Sequence, residues 1–159
     1  MTEHVVNGNF AAGLSGWSSS SACPPGFWEA GSEEDPPGSG LFYAWISSFV
    51  PGCISRLDQS VDFTNVETLK FDARLFPGYW SGTPGWCRVY IEDSLVYQST
   101  GDVPEMSAFE IDVTGIDGVK VLSFRVYGPV LGLGMDITNV SAFGDDLIHP
   151  IWQQIIGPM

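Results

Sequence analysis

Positive charge is scarce in this sequence. Four arginines and two lysines stand against 19 acidic residues, giving a formal net charge of −13 over 159 residues. Such a surface repels phosphate backbones and anionic lipid headgroups, so neither nucleic acid nor a membrane surface is an expected partner. Long apolar runs are also missing. None approaches the roughly 18 residues of a membrane span, and the opening Met1-Thr2-Glu3-His4 lacks a signal peptide's basic start and apolar core. The expectation is a mature segment carrying an added Met, or a chain that leaves its cell by another route, such as inside a virus particle. The setting expected is extracellular, cell-surface or virion.

Histidine is scarcer still. His4 and His149 are the only two, and neither stands with a serine or cysteine in a nucleophile signature. The G-x-S-x-G elbow and the phosphate-binding loop are both absent. Gly132-Leu133-Gly134 is a fragment of a dinucleotide motif placed between strands rather than before a helix. A glycosidase needs two carboxylates across a cleft. Asp72 and Glu92 can be nominated, but among 19 acids such a nomination carries no specificity. No catalytic residue is assigned, and a non-enzymatic domain is expected.

The three cysteines form no C-x-x-C pair and have no histidine at ligand spacing, which excludes a zinc site. Cys23 and Cys53 each lie beside a Pro-Gly turn, where they can meet as a disulfide joining two loops or remain as two buried thiols. Cys87 falls inside a strand pattern and is assigned to the core.

What the chain does have is 44% hydrophobic residues, with 19 glycines and 11 prolines scattered between short apolar runs. Period-two alternation predicts strands over 41–50, 53–62, 67–76, 86–92, 95–98, 107–113, 119–127 and 135–143. Turn-forming Gly, Pro, Asn and Asp separate them. Ahead of these, a short strand around Val5-Val6 leads into a Gly/Ser/Pro-rich irregular stretch. No segment holds a helical apolar repeat. The fold class is therefore all-β, a two-sheet antiparallel sandwich filling one domain over 1–144. Residues 145–159 form an apolar tail in which Leu147, Ile148, Ile151, Trp152, Ile155 and Ile156 are expected to dock, either on the chain's own domain or on a second copy as a homo-oligomer.

Three segments carry a family resemblance. Val6-Asn7-Gly8-Asn9-Phe10 through Gly13-Leu14-Ser15-Gly16-Trp17 resembles the "NGnFe-xGlxgW" opening of jelly-roll carbohydrate-binding modules and galactose-binding-like domains. Ile54 to Phe63 is similar to their strand that precedes a core strand, here Leu69-Lys70-Phe71-Asp72-Ala73. Met135-Asp136-Ile137-Thr138-Asn139-Val140-Ser141 resembles their closing strand. The resemblance implies a jelly roll that recognises a glycan; the single domain with its apolar tail favours instead a structural or display subunit of a virion, phage tail or surface filament that assembles through that tail. It also implies a structural Ca²⁺ held by carbonyls near the opening motif, a Glu after the Phe, and an Asp on the last strand. Asp136 matches that Asp, but Ala11 occupies the Glu position. With one carboxylate lost, no cofactor is required and calcium rests on Asp136 alone.

Alternation also assigns faces. Leu69, Phe71, Ala73 and Leu75 point inward and leave Lys70, Asp72 and Arg74 outside. Cys87, Val89 and Ile91 point inward and leave Trp86, Arg88 and Tyr90 outside. Leu122, Phe124 and Val126 point inward and leave Val121, Ser123, Arg125 and Tyr127 outside. If these strands share one sheet, Asp72, Arg74, Arg88, Arg125, Tyr90 and Tyr127 form one patch, with Trp80 and Trp86 at its rim. Aromatic rings and fixed polar groups suit a sugar. The same mixture suits a protein interface, and the arginines can equally be cross-strand partners of acids such as Asp72 and Glu92.

Overall fold

The computed structural model describes residues 2–21, 27–30, 41–47, 53–76, 79–80, 83–128 and 134–144. Among them lie β1 (Thr2–Glu3), β2 (Ser18–Ser21), β3 (Phe27–Ala30), β4 (Ala44–Ser47), β5 (Ile54–Asp62), β6 (Val66–Phe76), β7 (Tyr79–Trp80), β8 (Thr83–Pro84), β9 (Trp86–Ile91), β10 (Ser94–Gln98), β11 (Val103–Asp112), β12 (Val119–Tyr127) and β13 (Gly134–Gly144). One sheet runs β11-β6-β13-β4-β3, with β1 paired to β13. The other runs β10-β9-β12-β5-β2, and β7 and β8 form a small ribbon. The two large sheets are antiparallel throughout and pack as the expected sandwich. No helix among the described residues is long and apolar enough to cross a membrane. Cys23 and the apolar tail from 145 to 159 lie outside the described residues.

The alternation is obeyed closely. On β6, Leu69, Phe71, Ala73 and Leu75 are buried while Lys70 is exposed and Asp72 and Arg74 are half-buried. On β9, burial alternates without a break, and on β12 Leu122, Phe124 and Val126 are fully buried. Inward side chains from both sheets form one core in which aromatic rings run from end to end. Phe10 meets Trp17 at 5.3 Å, Trp17 meets Phe124 at 6.1 Å, Phe124 meets Phe71 at 5.3 Å, and Phe71 stacks on Phe109 at 5.2 Å.

The opening motif is a loop docked on this core. Its organiser is Asn7, in a left-handed conformation at φ 51. The Asn7 amide donates to the carbonyls of Gly13 and Ser15, both at 3.0 Å, and its side-chain oxygen accepts from Ala12 N at 3.1 Å. The Asn7 carbonyl accepts from the Trp17 indole at 3.2 Å. The expected strand at Val5-Val6 does not form. Val6 instead gives both its backbone groups to one side chain: its N–H donates to Gln59 Oε1 at 2.8 Å, and its carbonyl accepts from Gln59 Nε2 at 2.9 Å. Gln59 Nε2 also donates to the Gly16 carbonyl at 3.1 Å, and the residue is buried. Removing a buried partner leaves the opposing groups unsatisfied at about 1–3 kcal/mol each. Gln59→Ala should therefore lower stability by about 3 kcal/mol in a denaturant titration, and a loss under about 1 kcal/mol would show that the loop is held elsewhere.

The stretch expected to be irregular contains β2 and β3. Ser18 to Ser21 has little intrinsic strand preference, and pairing with β5 recruits it as an edge strand. Cys53 is disulfide-bonded, while Cys87 is free and fully buried as assigned.

Candidate functional site

The expected single patch divides between the two outer faces, because β6 belongs to one sheet and β9 and β12 to the other. Asp72 and Arg74 therefore stand across the sandwich from Trp86, Arg88, Tyr90, Arg125 and Tyr127. Trp80 lies in the β7–β8 ribbon, paired with Thr83. Alternation tells inside from outside; it does not tell which sheet a strand joins.

On the β6 face every described base meets an acid. Arg74 Nε donates to Asp136 Oδ2 at 3.1 Å, with the guanidinium carbon 5.1 Å from the Tyr43 ring centre. Lys70 reaches Glu110 at 3.5 Å, an exposed pair worth little. Asp72 Oδ2 accepts from the Asn139 amide at 2.9 Å. Asp136, the carboxylate nominated for calcium, is thus engaged by an arginine. No group of three or more His, Cys, Asp or Glu among the described residues could hold a metal ion.

The other face is built differently. β12 is central, with β9 on one side and β5 on the other, so residues in register line up across three strands. One row reads Gln98, Arg88, Arg125, Arg56, Ser20. The next reads Leu95, Tyr90, Ser123, Asp58, Ser18, and on the other flank Trp86 faces Tyr127, which faces Ile54. With strands about 4.8 Å apart, the three arginine Cα atoms span about 10 Å.

Each guanidinium is held in place. Arg88 lies over the Trp86 ring at 4.0 Å, donates from Nε to Gln98 Oε1 at 2.8 Å and from a terminal nitrogen to the Tyr90 hydroxyl at 3.2 Å. Arg125 lies over the Tyr90 ring at 4.1 Å and donates from Nε to Ser123 Oγ at 3.0 Å. Ser123 is itself fully buried beneath this layer. Arg56 donates through Nε to both oxygens of Asp58, at 3.1 and 2.9 Å. Trp86 stacks with Tyr127 at 5.7 Å and 21°. Each cation–ring contact contributes about 0.5–2 kcal/mol depending on desolvation. Burial, then the positive charge of Arg56, lowers the Arg125 pKa; Asp58, Tyr90 and Asp93 oppose that shift. The rings of Trp86 and Tyr90 thus serve as backing for the guanidiniums of Arg88 and Arg125.

Arg56 and Gln98 went unassigned in the sequence; Ser123, expected outside by alternation, is fully buried and accepts from Arg125 Nε. The signal for Arg56 was present: Leu57 and Val61 are inward, so Arg56 two places from Asp58 must be outward. Its alignment with Arg125 required the register. Hollows lined by Asn65 to Glu67 with Thr114 to Asp117, and by Asn7 to Asn9 with Asn139 to Ser141, lie away from this face.

Topology and burial together define an all-β jelly-roll sandwich. No family model matches the chain, and no curated protein matches it. Among solved structures it is similar to the carbohydrate-binding module TmCBM61 in complex with β-1,4-galactotriose, with a TM-score of 0.63 and 16% identity over 91% of this chain and 100% of that one. The K1 cleaved adhesin domain of Lys-gingipain from Porphyromonas gingivalis W83 matches with a TM-score of 0.64 and 16% identity over 87% and 96% of the two chains. A family 11 carbohydrate-binding module from Clostridium thermocellum, in complex with a mixed-linked tetrasaccharide, matches with a TM-score of 0.59 and 13% identity over 89% and 95%. At these identities the likeness is one of fold.

Proposed function

We propose that this chain is a non-catalytic glycan-binding module of an extracellular, cell-surface or virion protein, and that its ligand lies on the outer face of the sheet β10-β9-β12-β5-β2. The observation that carries the reading is the row Arg88–Arg125–Arg56, whose guanidiniums are oriented by Trp86, Tyr90, Gln98, Ser123 and Asp58. Preorganised donors lose little freedom when a sugar binds, which favours affinity. The shared fold of modules solved with a galactotriose and a mixed-linked tetrasaccharide supports the same reading. Asp72 and Arg74, on the other face, take no part.

Retention on a glycan array and on affinity gels tests this. The parent should be retained by at least one glycan, and Arg125→Ala and Tyr90→Ala should each weaken that retention about tenfold or more, the size of one lost charge-assisted bond. Arg74→Ala should leave it unchanged. A parent retained by no glycan ends the proposal.

A further inference from the structure

The charge pattern of the glycan face is not that of a surface built for solubility. Three of the four arginines of a chain with net charge −13 stand directly opposite one another on adjacent strands. Like charges in that relation destabilise a sheet. On the opposite face, Arg74 and Lys70 show what the chain does with a base that needs only neutralising: each is given a carboxylate. Here Asp58 is the one carboxylate in the two rows, and its bond to Arg56 is made at Nε, at 3.1 and 2.9 Å. Among the described residues, neither Arg88 nor Arg125 has an ion pair. Their partners are an amide, two hydroxyls and two ring faces. Such partners fix direction without cancelling charge.

A guanidinium carries five N–H donors and no acceptor. Arg88 spends two of its donors and Arg125 one on these side-chain contacts. The row therefore presents donors almost exclusively. A neutral sugar's hydroxyls both donate and accept, and a site for them mixes arginine with free carboxylates. A ligand that only accepts is an oxyanion, and planar guanidiniums match carboxylate and sulfate oxygens in pairs. The overall negative charge does not forbid this, because it is screened beyond about 8 Å at physiological salt while contacts in the row are direct.

Resting on the glycan-binding reading, we infer that the ligand is an acidic glycan whose oxyanion, a uronate carboxylate or a sulfate ester, is held by Arg88 and Arg125, with Arg56 completing the row. Specificity then lies in charge more than in ring stacking, since the faces of Trp86 and Tyr90 are already met by guanidiniums.

The test compares each charged ligand with its own uncharged counterpart by isothermal titration calorimetry. One arm uses oligogalacturonate and its methyl ester; the other uses a sulfated galactan oligosaccharide and its desulfated form. At least one charged form should bind about ten- to a hundredfold more tightly than its counterpart, as one charge-assisted contact allows. The arm that shows the preference identifies the oxyanion. Arg88→Gln and Arg125→Gln, which remove the charge but keep a donor, should abolish the preference while both variants stay folded at the assay temperature, as their melting curves will show. Neutral forms bound as tightly as both charged forms would overturn this inference and leave the glycan-binding reading standing. A preference that survives both substitutions would place the oxyanion elsewhere and also overturn it. A chain that binds none of the four, and no glycan on the array, loses both readings.

Discussion

Gly8→Ala should destabilise this protein more than any other added methyl in its opening loop. A Cβ built on Gly8 would lie 2.0 Å from the Val140 carbonyl oxygen, 3.0 Å from that carbonyl carbon and 3.2 Å from Val5 Cγ1. The backbone cannot retreat cheaply, because the Gly8 carbonyl accepts the Val140 N–H at 3.0 Å and the neighbouring Thr138 hydroxyl reaches the Asn9 carbonyl at 3.4 Å. Moving Gly8 breaks those contacts. It also loosens the turn that Asn7 and Phe10 hold at positive φ and that seats Phe10 and Trp17 in the core. Overpacking against backbone costs about 1–3 kcal/mol, and losing the docking bond adds to it. The expected total is about 3–4 kcal/mol, which is about 6–16 °C in melting temperature for a chain of this length. Gly13→Ala is the control. Gly13 has φ +65 and nothing within 4 Å of a built Cβ, so it suffers strain alone, about 1 kcal/mol. Equal melting temperatures for the two variants would mean that the loop is not pressed onto β13.

That loop also marks how far the sequence could be read. The inward residues of β6, β9 and β12 were legible because period two, one buried face and short strands leave a single assignment. Asn7, Gly8 and Trp17 were visible as a motif, yet the reason for it was not. Gln59 reaches Val6 and Gly16 from 53 and 43 residues away in sequence, and no local pattern encodes that. The site failed at the same point. Arg74, Arg88 and Arg125 were correctly put outside, but alternation is blind to which sheet receives a strand. The pairing of β9 and β5 with β12, which aligns Arg56 with the other two, is a non-local choice. It is made by core packing and not by any of the three arginines.

The second large effect is alkaline and belongs to Cys87. Its thiol is fully buried and donates to the Gly134 carbonyl at 3.4 Å, and burial pushes its pKa from 9.0 up to about 12, against a smaller opposing hydrogen bond from the Phe76 backbone. In the unfolded chain the thiol ionises near 9, while in the folded chain it stays protonated. Above pH 9 the unfolded state therefore binds fewer protons, and stability falls as pH rises. The slope should approach about 1.4 kcal/mol per pH unit between 9 and about 12, and below pH 9 this group should contribute no pH dependence. Tyr97 adds to the same slope at higher pH, because burial, then the nearby Cys87, raises its pKa too. Cys87→Ala separates the two. It leaves a small cavity and is less stable than the parent at neutral pH, but its stability should stay flat through pH 9 to 10, where the parent's is already declining. Denaturant midpoints measured at half-unit steps from pH 7 to 10.5 provide the comparison. Parallel curves for the two proteins would mean that water reaches the Cys87 sulfur. In that case a thiol reagent, inert toward the folded parent at pH 8 because only thiolate attacks, would label it as fast as it labels the unfolded chain.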